Sequence, residues 1–186
     1  MPKIIATEDW IKLGLKLFAE GGPEALVVEK LAKQLGSSKT SFYWYFKTRA
    51  AFIKRIIASW QELATASIIA HLQEQESVSP REKIYYLLRV MFSTVEGHDF
   101  IYHLRNLGVS EPEYADILQT IEKQRLDYLT SLLMNYGQSY ENAASKSELV
   151  YSYYLGWHER HKHKPPSDGE AEKQIALLKP FLESSI

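Results

Sequence analysis

Leu31-Ala-Lys-Gln-Leu-Gly36-Ser-Ser-Lys-Thr-Ser-Phe-Tyr-Trp-Tyr-Phe-Lys47 is the stretch that decides the fold. With Val28 before them, the apolar residues Leu31, Ala32 and Leu35 recur at the i, i+3, i+4, i+7 spacing of one helix face. Gly36 follows where a glycine ends a helix in the left-handed conformation, and Ser37 and Ser38 offer hydroxyls to cap the next one. In that second helix Phe42 and Phe46 share a face, so the other face presents Lys39, Thr40, Tyr43 and Trp44, with Tyr45 beside them. This is a helix-turn-helix pattern. Such a helix fits the major groove of B-DNA, which is wide enough for one helix and carries a readable donor and acceptor code.

Upstream, Thr7 with Glu8 and Asp9 predicts a capped helix to about Glu20 that turns Trp10, Ile11, Gly14, Leu17 and Phe18 inward, and Gly21-Gly22-Pro23 breaks it. Three short helices then form a small head. Downstream, Thr48 caps a fourth helix. No Pro or Gly interrupts it before about Gln75, which predicts a continuous rod of roughly 40 Å. Ser79-Pro80-Arg81-Glu82 starts a fifth helix toward Val95, with Gly97 as its stop. A short helix over Phe100 to Asn106 should end near Gly108. Ser110-Glu111-Pro112-Glu113 starts a long one to about Tyr136, and another spans about Glu141 to Lys162, before Pro165-Pro166. Ser167 to Glu170 caps a last helix carrying Ile175, Leu178, Phe181 and Leu182. No stretch alternates as a strand with hairpin turns would, so the predicted fold class is all-α.

Charge is uneven along the chain. Residues 1–60 hold ten Lys or Arg against five Asp or Glu, and residues 61–186 hold twelve against eighteen, although the total is only −1. The basic end coincides with the helix-turn-helix, as expected where one end binds nucleic acid. No run of about 18 apolar residues predicts a membrane span, and the first ten residues lack the apolar segment of a secretory signal. Without cysteine there is no disulfide framework, thiol catalyst or cysteine metal site; the expected location is the cytoplasm, which suits this absence but does not follow from it alone.

The run from Gly36 through Tyr43, Tyr45, Phe46 and Arg49 to Phe52 resembles the signature of the tetracycline-repressor-type (TetR) transcription regulators: a glycine turn, a recognition helix ending Tyr-x-(His or Tyr)-Phe, and a basic start to the fourth helix. The resemblance covers about residues 7–60. It implies a head of residues 1–48 that binds DNA and a helical domain of residues 49–186 that binds an effector and dimerises. It further implies a homodimer on a palindromic double-stranded operator, no catalytic residues and no cofactor. Carried onto this chain, Lys39, Thr40 and Trp44 are candidates for the groove floor, and Ser38, Ser41, Tyr43, Tyr45, Lys47 and Arg49 for the phosphates. Trp44 has a second reading, packing on the first helix, and Arg49 a second as partner of an acid. The chain departs from the family at Leu26, Val27, Val28 and Glu29, where threonines and a basic or polar residue are usual. Glu29 either weakens backbone contact by the second helix or accepts from a cytosine N4.

The remainder is rich in aromatics at helical spacing, each of which reads first as core. As a set they carry more phenols and indoles than a dry core needs, which favours a cavity for a small apolar or aromatic effector. Trp60, Phe92, Phe100, Tyr102, His103 and Tyr128, on the middle helices, are the predicted lining. Tyr151, Leu155, Trp157, Ile175, Leu178, Phe181 and Leu182 are predicted to pair with their symmetry mates in a four-helix dimer seam. His158 and His161 are three apart, as two metal ligands on a helix would be. Arg160, Lys162 and Lys164 beside them oppose a cation, and positive groups suit a helix C-terminus, so no metal is expected. No phosphate loop, nucleophile elbow or paired Glu-x-x-His motif supports an enzyme. The leading reading is a sequence-specific repressor released from its operator by that effector; its rivals are a DNA reader whose body docks a protein partner and, more remotely, a helical-bundle enzyme.

Overall fold

The computed structural model describes residues 5–93, 99–161 and 169–184. In chain order the helices are α1 (Thr7–Gly21), α2 (Val28–Leu35), α3 (Lys39–Phe46), α4 (Arg49–Gln61), α5 (Ser67–Glu74), α6 (Pro80–Ser93), α7 (Asp99–Ser110), α8 (Pro112–Asn135), α9 (Tyr140–His161) and α10 (Glu170–Glu183). A 3-10 turn, Gly22–Ala25, precedes α2, and a π-helical turn, Glu62–Ala66, separates α4 from α5. The fold is all-α, with no strand among the described residues. They fall into two compact units, one within Met1–Ala66 with Glu96–Leu118 and the other within Ser67–Val95 with Gln119–Ile186. These packing units are a different partition from the division at residue 48 drawn from the motif.

In the first unit the core is aromatic. Phe42 lies edge-on to Trp10 at 5.4 Å and to Phe52 at 5.0 Å, tying α3 to α1 and α4. Phe100 of α7 lies 4.3 Å from Phe18 and stacks on Trp60 at 4.6 Å with planes 7° apart. α1 begins with Ala6, not Thr7, as its cap: the Asp9 carboxylate accepts from the Ala6 N–H at 2.9 Å, so the acid supplies the closure that the hydroxyl was expected to give. α7 runs on through Gly108, where a stop was expected. A Cβ there would come within 2.9 Å of the Ala115 nitrogen, so this glycine permits a close helix approach rather than a chain reversal.

In the second unit Leu72, Ile84, Leu88, Phe92, Tyr128, Leu129, Leu132, Leu133, Val150, Trp157, Ile175, Leu178 and Leu182 form one buried cluster. The cap at Ser79 forms as expected: the Ser79 N–H donates to Glu82 Oε2 at 3.0 Å and the Glu82 N–H to Ser79 Oγ at 3.3 Å. α6 is joined to α10 by Arg89 with Glu172, 2.7 Å, and by Arg81 with Glu183, 2.7 Å. Polar groups are buried here as well. Thr130 Oγ1 donates to Ser147 Oγ at 3.0 Å, and the Lys146 ammonium, its pKa pushed down by burial, donates to the carbonyls of Leu182 and Ser184 at the end of α10. Val95, Gly97, Lys162, Lys164, Pro165, Pro166 and Ser167, invoked above, lie outside the described residues.

Candidate nucleic-acid interface

The turn between α2 and α3 is made by backbone chemistry. Gly36 adopts φ 64°, ψ 32°, and the Ser37 N–H reaches back to the Ala32 carbonyl at 2.8 Å, closing the end of α2. Ser38 then caps α3, its Oγ accepting from the Ser41 N–H at 3.1 Å. With Phe42 and Phe46 buried below, the opposite face of α3 stands clear: Lys39, Thr40, Tyr43 and Lys47 are exposed, and Trp44 is 68 % exposed. The Trp44 ring meets Tyr45 edge-on at 4.7 Å and is not part of the α1 core.

Lys39 Nζ donates to Glu29 Oε1 at 2.6 Å, so α2 answers the recognition helix with a carboxylate. The hydrogen bond and then the charge of each hold the Glu29 carboxyl below its ordinary pKa and the Lys39 ammonium above its own. Lys47 leaves α3 at φ 61°, with its ammonium on the Trp44 carbonyl at 3.0 Å. Thr48 caps α4 by accepting from the Ala51 N–H at 3.0 Å.

Two residues expected on the phosphates are turned into the head. Tyr45 donates its hydroxyl to the Ile5 carbonyl at 3.0 Å. Arg49 donates from Nε to the Leu26 carbonyl at 3.0 Å and from Nη2 to the Pro23 carbonyl, so two backbone carbonyls rather than an acid are its partners within the head. It braces the loop that leads into α2, where Val27 provides no side-chain cap. A planar guanidinium suits two convergent carbonyls, a use that sequence spacing does not reveal.

The expected effector-lining residues are divided between the two units. Trp60, Phe100, Tyr102 and His103 belong to the first unit, Phe92 and Tyr128 to the second. Phe100 and Phe92 are plain core, Tyr102 is exposed, and the buried Tyr128 hydroxyl has no hydrogen-bond partner. The expected dimer set needs correction. Tyr151, Trp157, Ile175, Leu178 and Leu182 are buried within their own unit, and Leu155 and Phe181 are half-buried. The same helices turn out Leu149, 58 % exposed, and Leu177, 61 % exposed. Heptad-like spacing marks an apolar face without saying whose core it enters. His161 lies with Nδ1 2.7 Å from the Trp157 carbonyl and stacks on the indole, so that nitrogen is a donor to its own helix.

Residues 11–56 match the family of bacterial regulatory proteins, tetR family. The chain is 27 % identical over 146 residues to the uncharacterized HTH-type transcriptional regulator YerO of Bacillus subtilis (strain 168), covering 75 % of this chain and 50 % of that protein. It is 29 % identical over 136 residues to YuxN, also described as an uncharacterized HTH-type transcriptional regulator, of the same organism, covering 70 % and 46 %. The chain thus spans about half the length of these curated relatives. A TetR transcriptional regulator from Legionella pneumophila shares the fold with TM-score 0.78 at 15 % identity, over 98 % of each chain. So does the transcriptional regulator FadR from Bacillus subtilis in complex with stearoyl-CoA, with TM-score 0.72 at 19 % identity, over 97 % of this chain and 100 % of that one.

Proposed function

The chain belongs to the tetR family of bacterial regulatory proteins, and we propose that it is a DNA-binding transcriptional regulator acting as a two-fold homodimer on a palindromic operator. The observation that carries this is α3: a helix anchored by two buried phenyl rings whose opposite face offers an ammonium, a hydroxyl, a phenol and an indole to solvent. Lys39, Thr40 and Trp44 take the groove floor. Ser38, Ser41, Tyr43 and Lys47 take the phosphates. Tyr45 and Arg49 serve the interface from behind, by fixing the ends of the head, and Arg49 reaches phosphate only through N–H groups not held by Leu26 and Pro23.

Residues 1–48 are the DNA-binding part and 49–186 the effector and dimer part. The seam we assign is the outward face of α9 and α10. There Ser145, Leu149, Ser152 and Gly156 of α9 recur at helical spacing and are exposed, as are Ala176 and Leu177 of α10, small residues that let helices approach closely around two leucines. Leu149→Glu should shift the chain to monomer in sedimentation at micromolar concentration; an unchanged dimer would move the seam elsewhere. A small apolar or aromatic effector releasing a repressor is supported by the unpartnered Tyr128 hydroxyl among buried aromatics, and by a long-chain acyl thioester held by a protein of the same fold. No described helix is long and apolar enough to cross a membrane. Work on chromosomal DNA would place the chain in the cytoplasm.

The test is protection mapping upstream of the chain's own gene, followed by Lys39→Ala on the protected site. If Lys39 holds guanine, the substitution costs about 1–3 kcal/mol per half-site there and less on random duplex. Equal losses on both would remove Lys39 from the groove floor.

A further inference from the structure

α2 and α3 each place a charged side chain on the exposed surface of the head, and the two charges meet. Glu29 is in the first turn of α2, where the helix dipole favours an acid, and Lys39 is the first residue of α3. Their atoms are 2.6 Å apart, and both side chains are exposed. Packing does not force this contact, and an exposed pair in water is weak and exchanges readily. A carboxylate on a surface that approaches phosphates opposes binding unless something answers its charge. Lys39 answers it, at the price of its own pull on the phosphates.

We propose that Glu29 is a selectivity residue, which neutralises Lys39 on DNA that places no guanine edge within its reach and steers the same ammonium onto a guanine edge where one is present. The proposal rests on reading the α2–α3 face as the DNA interface. An ammonium has three donors. With one on Glu29, two remain for guanine O6 and N7, so the carboxylate orients Lys39 without having to release it. On a site lacking those acceptors the pair carries no net charge, and one fewer counterion leaves the DNA. The phenol of Tyr43 lies near enough to Lys39 to share this environment, and Lys30 and Lys33 on α2 supply cations that the pair does not silence.

The test uses the full chain to enrich duplexes from a random pool. Wild type, Glu29→Gln, Lys39→Met and the double variant are then compared on the enriched duplex and on a scrambled one across a salt series. Circular dichroism confirms that each variant is folded. Glu29→Gln should bind the scrambled duplex about five- to tenfold more tightly, with a salt slope steeper by about one ion per protomer, and change by less than about threefold on the enriched one. With Lys39→Met in place, the same glutamine should no longer reduce discrimination. Equal shifts on both duplexes, or a loss of discrimination that persists without Lys39, would overturn the inference. A wild-type chain that enriches no duplex overturns the reading of the face itself. That differs from a discriminating wild type whose Glu29→Gln variant discriminates equally well.

Discussion

Trp44 and Trp157 are the same residue type in opposite situations, one 68 % exposed on the recognition helix and the other 6 % exposed inside the second unit. The contrast extends to their surroundings. The head buries phenyl rings, aliphatic chains and the Trp10 indole and turns the hydroxyl and ammonium groups of α3 and the Trp44 indole outward, whereas the second unit buries Lys146, Ser147, Gln174 and Thr130 among its aromatics. If the outward face of α3 reads DNA as proposed, recognition and stability sit on opposite sides of that helix and are separable by mutation. In the second unit the buried polar and aromatic side chains share one packed interior.

Trp157→Ala tests the buried half of this contrast and carries the largest expected effect. The indole meets Phe92 edge-on at 5.0 Å and stacks on His161 at 4.7 Å, so its removal leaves a cavity and should cost about 3–5 kcal/mol of stability in urea unfolding. A cost below about 1 kcal/mol would return this residue to an intermolecular seam. Trp44→Ala tests the exposed half. Stability should stay within about 0.5 kcal/mol of wild type, while operator affinity, read by fluorescence anisotropy, falls about tenfold or more. A destabilised Trp44→Ala with unaltered DNA binding would erase the distinction between the two tryptophans.

The head was legible in the sequence because its instructions are local. Gly36, Ser38 and Thr48 fix helix ends through their own backbone or hydroxyl chemistry, and the structure uses each as expected. What escaped the sequence depends on partners far along the chain. Glu62-Leu-Ala-Thr-Ala66 contains no breaker, yet it forms a π-helical turn with Thr65 buried, where an unbroken α-helix was expected. The carbonyls that Arg49 holds, at Pro23 and Leu26, are more than twenty residues away, so spacing along the chain does not show them. Apolar periodicity in α9 and α10 correctly marked a buried face, but the core it enters is the chain's own.

Tyr151 sharpens the account of the second unit. Its hydroxyl faces Glu122 Oε1 at 3.4 Å, and burial pushes its pKa up to about 12, partly offset by Arg125. An unfolded phenol titrates near 10. Between those values the folded chain keeps a proton that the unfolded chain has lost, so stability is full below about pH 10 and falls by about 1.4 kcal/mol per pH unit as pH rises toward 12. Tyr151→Phe should remove that component of the slope in urea midpoints taken from pH 9 to 11. An identical slope in the variant would mean that the phenol is already hydrated in the folded state.

The smallest effect lies in the head, where one residue joins recognition to backbone strain. Lys47 sits at φ 61°, ψ −47°, and the N–H of Thr48 donates to the Phe46 carbonyl at 2.6 Å, a γ-turn that side-chain-bearing residues rarely adopt. The tight reversal lets α3 end and α4 begin with only two residues between them. Lys47→Gly relieves the strain but adds freedom to the unfolded chain, and the balance should favour the folded state by about 0.5–1 kcal/mol over Lys47→Ala, which keeps the strain. Both variants lose the same ammonium, so their operator affinities and salt slopes should fall together while their stabilities part. If glycine gives no advantage over alanine, the turn is unstrained. If the two differ on DNA, the turn geometry contributes to positioning α3, and recognition is not confined to the outward face.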